Sequence, residues 1–171
     1  MKPSTLQLIN DMPHEAFMHE FGALFEHSPW IAEKTAGYRP FPDYTAMLDV
    51  MELIVMEADI EQTLDLLRRH PDLGSRLEMS SNSVQEQTGA GLSQLSESDF
   101  HELQRLNAIY TQRFGFPFIL AVRGHTTSSI IQIMRERVEG TRQEELKTAT
   151  QQVLRIASIR LEQWVERTEQ I

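Results

Sequence analysis

The 171-residue sequence contains no cysteine. That single absence excludes disulfides, thiolate metal sites and a cysteine nucleophile, and it points to a reducing, cytoplasmic setting. No stretch approaches the roughly 18 apolar residues of a membrane-spanning helix, so no membrane partner is expected. Met1-Lys2-Pro3-Ser4 leads into a mixed segment instead of an apolar run, so no secretory signal is expected, and Glu169-Gln170-Ile171 is not a peroxisomal address. Basic residues are scarce: sixteen Lys and Arg against twenty-five Asp and Glu give a formal charge of −9, with no basic run of three. Phosphate backbones are held by clustered Lys and Arg, so nucleic acid is not an expected partner. The six histidines (His14, His19, His27, His70, His101 and His125) include no pair three or four residues apart and no His-Glu-x-x-His element. No metal site is expected from them. Gly89-Ala90-Gly91 lacks both the lysine and the preceding strand of a phosphate loop.

What is present is helical periodicity in an ordinary globular composition, 40% apolar and 24% charged. Phe17, Phe21, Leu24 and Phe25 fall on one helical face. Ser28 and Pro29 suit the N-cap and first position of the next helix. Arg39-Pro40-Phe41-Pro42 must be a rigid connector, because two prolines this close cannot sit inside a helix. Tyr44, Met47, Leu48, Met51, Ile54 and Val55 mark a helix, and Ile60, Leu64 and Leu67 continue the pattern, with Asp59 as a cap between them. Met79 to Ser83 reads as a loop. Ser83 and Glu86 have capping-box spacing, Gly89 and Gly91 limit the helix that would follow, and Ser96 with Asp99 opens another carrying Phe100, Leu103, Leu106, Ile109 and Tyr110. Thr141 and Glu144 form a third box after Gly140, starting a helix of about six turns that reaches Trp164. Residues 1–171 therefore read as a single all-α domain of about seven to nine helices.

Three blocks break this pattern: 70–74, 83–87 and 114–124. Proline disfavours the α conformation in the residue before it, so His70, in His70-Pro71-Asp72-Leu73-Gly74, should stand at a helix exit with its ring clear of the ladder. Such a histidine is either a helix stop or a proton-transfer group. Ser83 and Glu86 either cap a helix or face a ligand, Gln87 either faces solvent or joins them, and Arg123 either pairs with an acid or binds. The run Phe118-Ile119-Leu120-Ala121-Val122 is core, a short strand, or buried irregular backbone whose polar groups need partners from elsewhere. Loops on a rigid helical scaffold are where sites tend to lie.

Four segments in order, EHSPWIAE at 26–33, HPDLG at 70–74, SVQEQTGAGL at 83–92 and LNAIYTQRFGFPFILAVRG at 106–124, resemble the OHCU decarboxylase family. OHCU is 2-oxo-4-hydroxy-4-carboxy-5-ureidoimidazoline, and the family supplies the last step from urate to (S)-allantoin. The resemblance runs from about Phe21 to Leu161. It implies an all-α fold, a homodimer, and a decarboxylase that uses neither metal nor organic cofactor on the small molecule OHCU. It places His70 on the catalytic histidine, Pro71 on a substrate contact, and Ser83, Val84, Gln85, Glu86 and Gln87 on a substrate-binding segment with Glu86 its essential acid. Phe118, Ile119, Leu120, Ala121 and Val122 fall on a segment that holds the ring largely through backbone groups, and Arg123 follows as a further binding candidate. Two departures stand out: a short stretch between HPDLG and Ser83, and Thr88 where many members carry a small apolar residue.

Two other readings compete. A non-catalytic helical binding module would have no reason for His70 and Glu86 to converge. Another purine-catabolic enzyme, such as one acting on 5-hydroxyisourate, would place a water-activating group beside the ring.

Overall fold

The computed structural model describes residues 4–74 and 81–171. Among them are nine α-helices and no strand: α1 (Thr5–Asp11), α2 (His14–Phe21), α3 (Trp30–Ala36), α4 (Tyr44–Met56), α5 (Ile60–Arg68), α6 (Ser81–Gly89), α7 (Glu97–Phe114), α8 (Thr127–Arg137) and α9 (Arg142–Glu169). None is long and apolar enough to cross a membrane. The all-α expectation holds. The chain divides into two compact units, Met1–Leu66 with Leu154–Ile171, and Leu67–Val153.

The first unit has an aromatic core. Phe17, Phe21 and Phe25 are fully buried, and Phe21 meets Trp164 of α9 edge-on at 4.8 Å between ring centroids. The helix expected through Phe25 ends at Phe21. Gly22 follows, and Leu24 and Phe25 reach the core from a turn closed by Leu24 N–H to Phe21 C=O and Ser28 N–H to Phe25 C=O. The apolar spacing thus marked the buried residues correctly while the backbone left the helix. Ser28 is not the N-cap of α3. Its buried hydroxyl donates to the Glu26 carbonyl, and Pro29 occupies the cap without a side-chain bond. Arg39–Pro42 lies outside any helix, as expected. Asp43 and Asp59 cap α4 and α5, accepting the N–H groups of Ala46 and Gln62 at 2.7 and 2.8 Å. Arg160 closes the unit, reaching Glu26 Oε2 at 3.2 Å and the carbonyls of Ala23 and Leu24.

The second unit holds the three blocks read as breaks in the helical pattern, and the second of them, 83–87, is no break: it lies inside α6. Residues 79 and 80 of the expected loop lie outside the described residues, but 81–83 form the first turn of α6. Ser83 is therefore inside the helix and is not its N-cap. Serine and glutamate at cap spacing also occur within helices, which is why the pattern misled. Gly89 ends α6 as expected, and Gly91 follows with φ +80°. Ser96 caps α7 through Asp99 N–H. Leu103, Leu106, Asn107, Tyr110 and Phe114 take its buried face, leaving Ile109, expected in that stripe, 37% exposed. Thr126 and Ser129 form a capping box for α8, and Thr141 with Glu144 opens α9. That helix runs beyond Trp164 to Glu169. Residues 115–126 contain neither helix nor strand, which settles 118–122 as irregular backbone.

Candidate active site

His70 stands two residues past the end of α5, its N–H bonded to the Leu67 carbonyl at 3.2 Å and the residue 8% exposed. Leu64 and Leu67, buried on the helix before it, root the exit in the core. The turn that follows is held from two helices. Gln87 Oε1 of α6 accepts the Gly74 N–H at 3.0 Å, and Asn107 Nδ2 of α7 donates to the Leu73 carbonyl at 2.9 Å. Gly74 adopts φ +70°, and a Cβ there would lie 3.0 Å from Leu95 Cδ1 and 3.1 Å from Leu103 Cδ1. Only glycine fits this conformation and this space without strain.

On α6 the candidates separate by helical phase. Ser83 and Gln87, four residues apart, are buried on one face, with Glu86 half-buried beside them. Val84 and Gln85 are exposed, so their side chains do not share that face. The Gln87–Gly74 bond therefore joins the second block to the first.

The third block is held by three arginines. Arg142 Nε of α9 donates to the Phe114 carbonyl at 3.1 Å, Arg68 Nε of α5 to that of Gly115 at 2.9 Å, and Arg137 Nη1 of α8 to that of Ile119 at 2.7 Å. Gln152 Oε1 of α9 accepts the Ala121 N–H at 2.9 Å. Side chains thus replace the ladder that a strand would supply, which is how irregular backbone tolerates burial. Among the described residues, no backbone–backbone hydrogen bond involves 116–121. Phe118, Ile119, Leu120 and Val122 are buried, Ala121 is half-buried, and Arg123 is exposed ahead of Gly124 at φ +81°. Because Arg68 lies two residues before His70, its bond to Gly115 ties the base of the first block to the start of the third.

Beneath the third block lies a polar cluster. Glu145 Oε1 accepts from Tyr110 Oη at 2.7 Å and from Arg137 Nε at 2.8 Å, and the Arg137 guanidinium sits 4.3 Å from the centre of the Phe118 ring. Burial, and then the neighbouring Glu145 carboxylate, push the Tyr110 phenol well above its ordinary range, so it donates as a neutral hydroxyl.

Asn107, Arg137, Gln152, Arg68 and Arg142 were not among the sequence candidates. Asn107 had a signal, a polar residue inside the apolar stripe Leu103–Leu106–Tyr110. The others sit on helices where a charged or amide side chain ordinarily faces water. A cavity of about 790 Å³ lies between Asp72–Gly74 and α7, and His70, Glu86 and 118–122 are not among its lining residues. Among the described residues, no group of three or more His, Asp or Glu side chains is arranged to hold a metal ion.

The OHCU decarboxylase family matches residues 10–162. A 2-oxo-4-hydroxy-4-carboxy-5-ureidoimidazoline decarboxylase of Haloferax volcanii is 42% identical over 161 residues, covering 94% of this chain and 96% of that protein. A uric acid degradation bifunctional protein of Bacillus subtilis is 43% identical over 157 residues, 92% of this chain but 32% of its own length. Among solved structures, (S)-allantoin synthase superposes with a TM-score of 0.73 at 27% identity, spanning 93% of this chain and 53% of that one. The chain belongs to the OHCU decarboxylase family.

Proposed function

We propose that this protein decarboxylates OHCU stereospecifically to (S)-allantoin, with His70 and Glu86 as the reacting side chains and the 118–122 backbone as the ring holder. The observation that carries this reading is the bond from Gln87 to Gly74. It links the histidine turn to the helix of Ser83 and Glu86, as a site needs and a helix stop does not.

The chemistry asks little of the protein beyond placement. The carboxylate of OHCU leaves a ring carbon that bears a hydroxyl and adjoins a C=N bond. As the C–CO2 bond breaks, its electron pair forms a ring C=C bond, and the displaced imine pair takes a proton on nitrogen. The resulting enol then loses its hydroxyl proton while the neighbouring carbon gains one, giving allantoin; the sum is one proton taken up for each CO2 released. Delivering that carbon-bound proton to one face creates the S configuration. His70 acts on the hydroxyl or supplies the proton, a task suited to an imidazole, whose ordinary pKa of roughly 6.5 permits exchange at neutral pH. Glu86 holds the hydroxyl or ureido group. Pro71 and the segment Ser83, Val84, Gln85 and Gln87 complete the substrate-binding set. Arg123 contributes at its edge. The enzyme works in the cytoplasm, as a homodimer that light scattering on the eluted protein would reveal.

The test is to generate OHCU from urate and follow optical activity with and without the protein. Because OHCU decays on its own to racemic allantoin, rapid appearance of one enantiomer supports the reading. Racemic product at the uncatalysed rate, from folded protein, overturns it.

A further inference from the structure

The two peptide bonds flanking Leu120 are each fixed at one end by a side chain. Arg137 Nη1 holds the Ile119 carbonyl, and Gln152 Oε1 holds the Ala121 N–H. Both peptides are trans, since the cis bond among the described residues is Arg39–Pro40. In a planar trans peptide the C=O and N–H point in opposite directions. Leu120 N–H therefore points away from Arg137, and Leu120 C=O points away from Gln152. Neither takes part in a backbone–backbone hydrogen bond among the described residues, although Leu120 is 8% exposed. One residue thus offers a donor and an acceptor, each with its direction set by a different helix.

The holders are themselves held. Arg137 is pinned by Glu145 at 2.8 Å and packs over Phe118, and Glu145 also takes the Tyr110 hydroxyl. The Arg137 and Glu145 side chains are 12% and 6% exposed, so this pair is shielded from the screening that weakens surface pairs. The natural complement of a fixed N–H and C=O on one residue is a ring edge carrying C=O beside N–H, as in a cyclic ureide.

We propose that Arg137 and Gln152 are positioning residues that orient Leu120 N–H and C=O to read the ureide edge of the substrate ring. This rests on the reading that 118–122 holds the ring. Neither side chain touches substrate; each acts through a peptide plane.

Steady-state kinetics on purified variants test it, with thermal unfolding measured alongside. Gln152→Leu should raise KM about threefold to tenfold, the range for one net hydrogen bond, with a smaller change in kcat. Gln152→Glu, whose carboxylate accepts the same N–H, should return KM towards the wild-type value. Arg137→Lys keeps a cation beside Glu145 but loses the planar fork, and should raise KM in the same way. A KM unchanged in Gln152→Leu, or raised equally in Gln152→Leu and Gln152→Glu, overturns the assignment while leaving wild-type turnover intact. Wild-type protein that yields racemic product at the uncatalysed rate removes the function itself, and this assignment with it.

Discussion

Gln87 reaches from α6 to accept the N–H of Gly74, 13 residues earlier and four beyond His70, in a buried hydrogen bond of 3.0 Å. Replacing Gln87 with Leu strands that buried donor, which costs about 1–3 kcal/mol. Gln87→Glu keeps an acceptor in place. The expected result is a lower urea midpoint for the leucine variant and a nearly wild-type one for the glutamate variant. Equal losses in both would show that the packing of the side chain matters and its oxygen does not.

Removal of the two reacting groups should separate chemistry from folding. His70→Asn keeps a small polar side chain at the helix exit, and should lower kcat by roughly 10²–10⁴-fold if the imidazole is the general acid. Glu86→Gln should lose turnover with its far-UV circular dichroism unchanged. Near-full turnover in His70→Asn would remove the histidine from the mechanism. Loss of helicity in Glu86→Gln would make that residue a support of α6 instead.

The caps at Asp59, Ser96 and Thr141 were legible because capping is local: donor and acceptor lie three residues apart, so spacing alone identifies them. The same locality explains the errors. Ser83 and Glu86 have that spacing inside a helix, and Ser28, read as an N-cap because Pro29 follows it, bonds its buried hydroxyl to the Glu26 carbonyl instead. In the site, His70 and Gln87 stood out because they interrupt or adjoin a break in periodicity. Asn107, Arg137 and Gln152 did not. Their partners Leu73, Ile119 and Ala121 are 34, 18 and 31 residues away, and no helical period relates such pairs.

Glu26 and Arg160 form the most deeply buried ion pair described, with side-chain exposures of 0% and 4%. Arg160 also donates to the carbonyls of Ala23 and Leu24, so its charge is fixed beside the turn after α2. Glu26→Gln removes the compensating charge and leaves the guanidinium buried, a change that costs about 3–5 kcal/mol. The check is equilibrium unfolding in urea. A loss below about 1 kcal/mol, the scale of a surface pair, would show that water or the carbonyls alone satisfy Arg160.

Glu102 gives the molecule an acid-sensitive tie between α7 and α8. Its carboxylate accepts from Arg105 Nε and Nη2, both at 2.9 Å, and from Arg135 Nε and Nη2 across the helix pair at 3.1 and 3.0 Å. These bonds, those from Arg105 first and then those from Arg135, hold its pKa down to about 2, below the ordinary 4.5. A carboxyl depressed by folding stabilises the folded state above its unfolded pKa, and that contribution fades as pH falls towards the folded value. Wild type should therefore exceed Glu102→Gln in unfolding midpoint at neutral pH, and the gap should narrow from about pH 4.5 downward and close near pH 2. Added salt should narrow it at neutral pH too, because the group lies at the surface. Urea midpoints of both proteins across this range, at low and high salt, decide the matter. A gap that stays constant through the acid window would mean that Glu102 acts through its shape, with its charge playing no part.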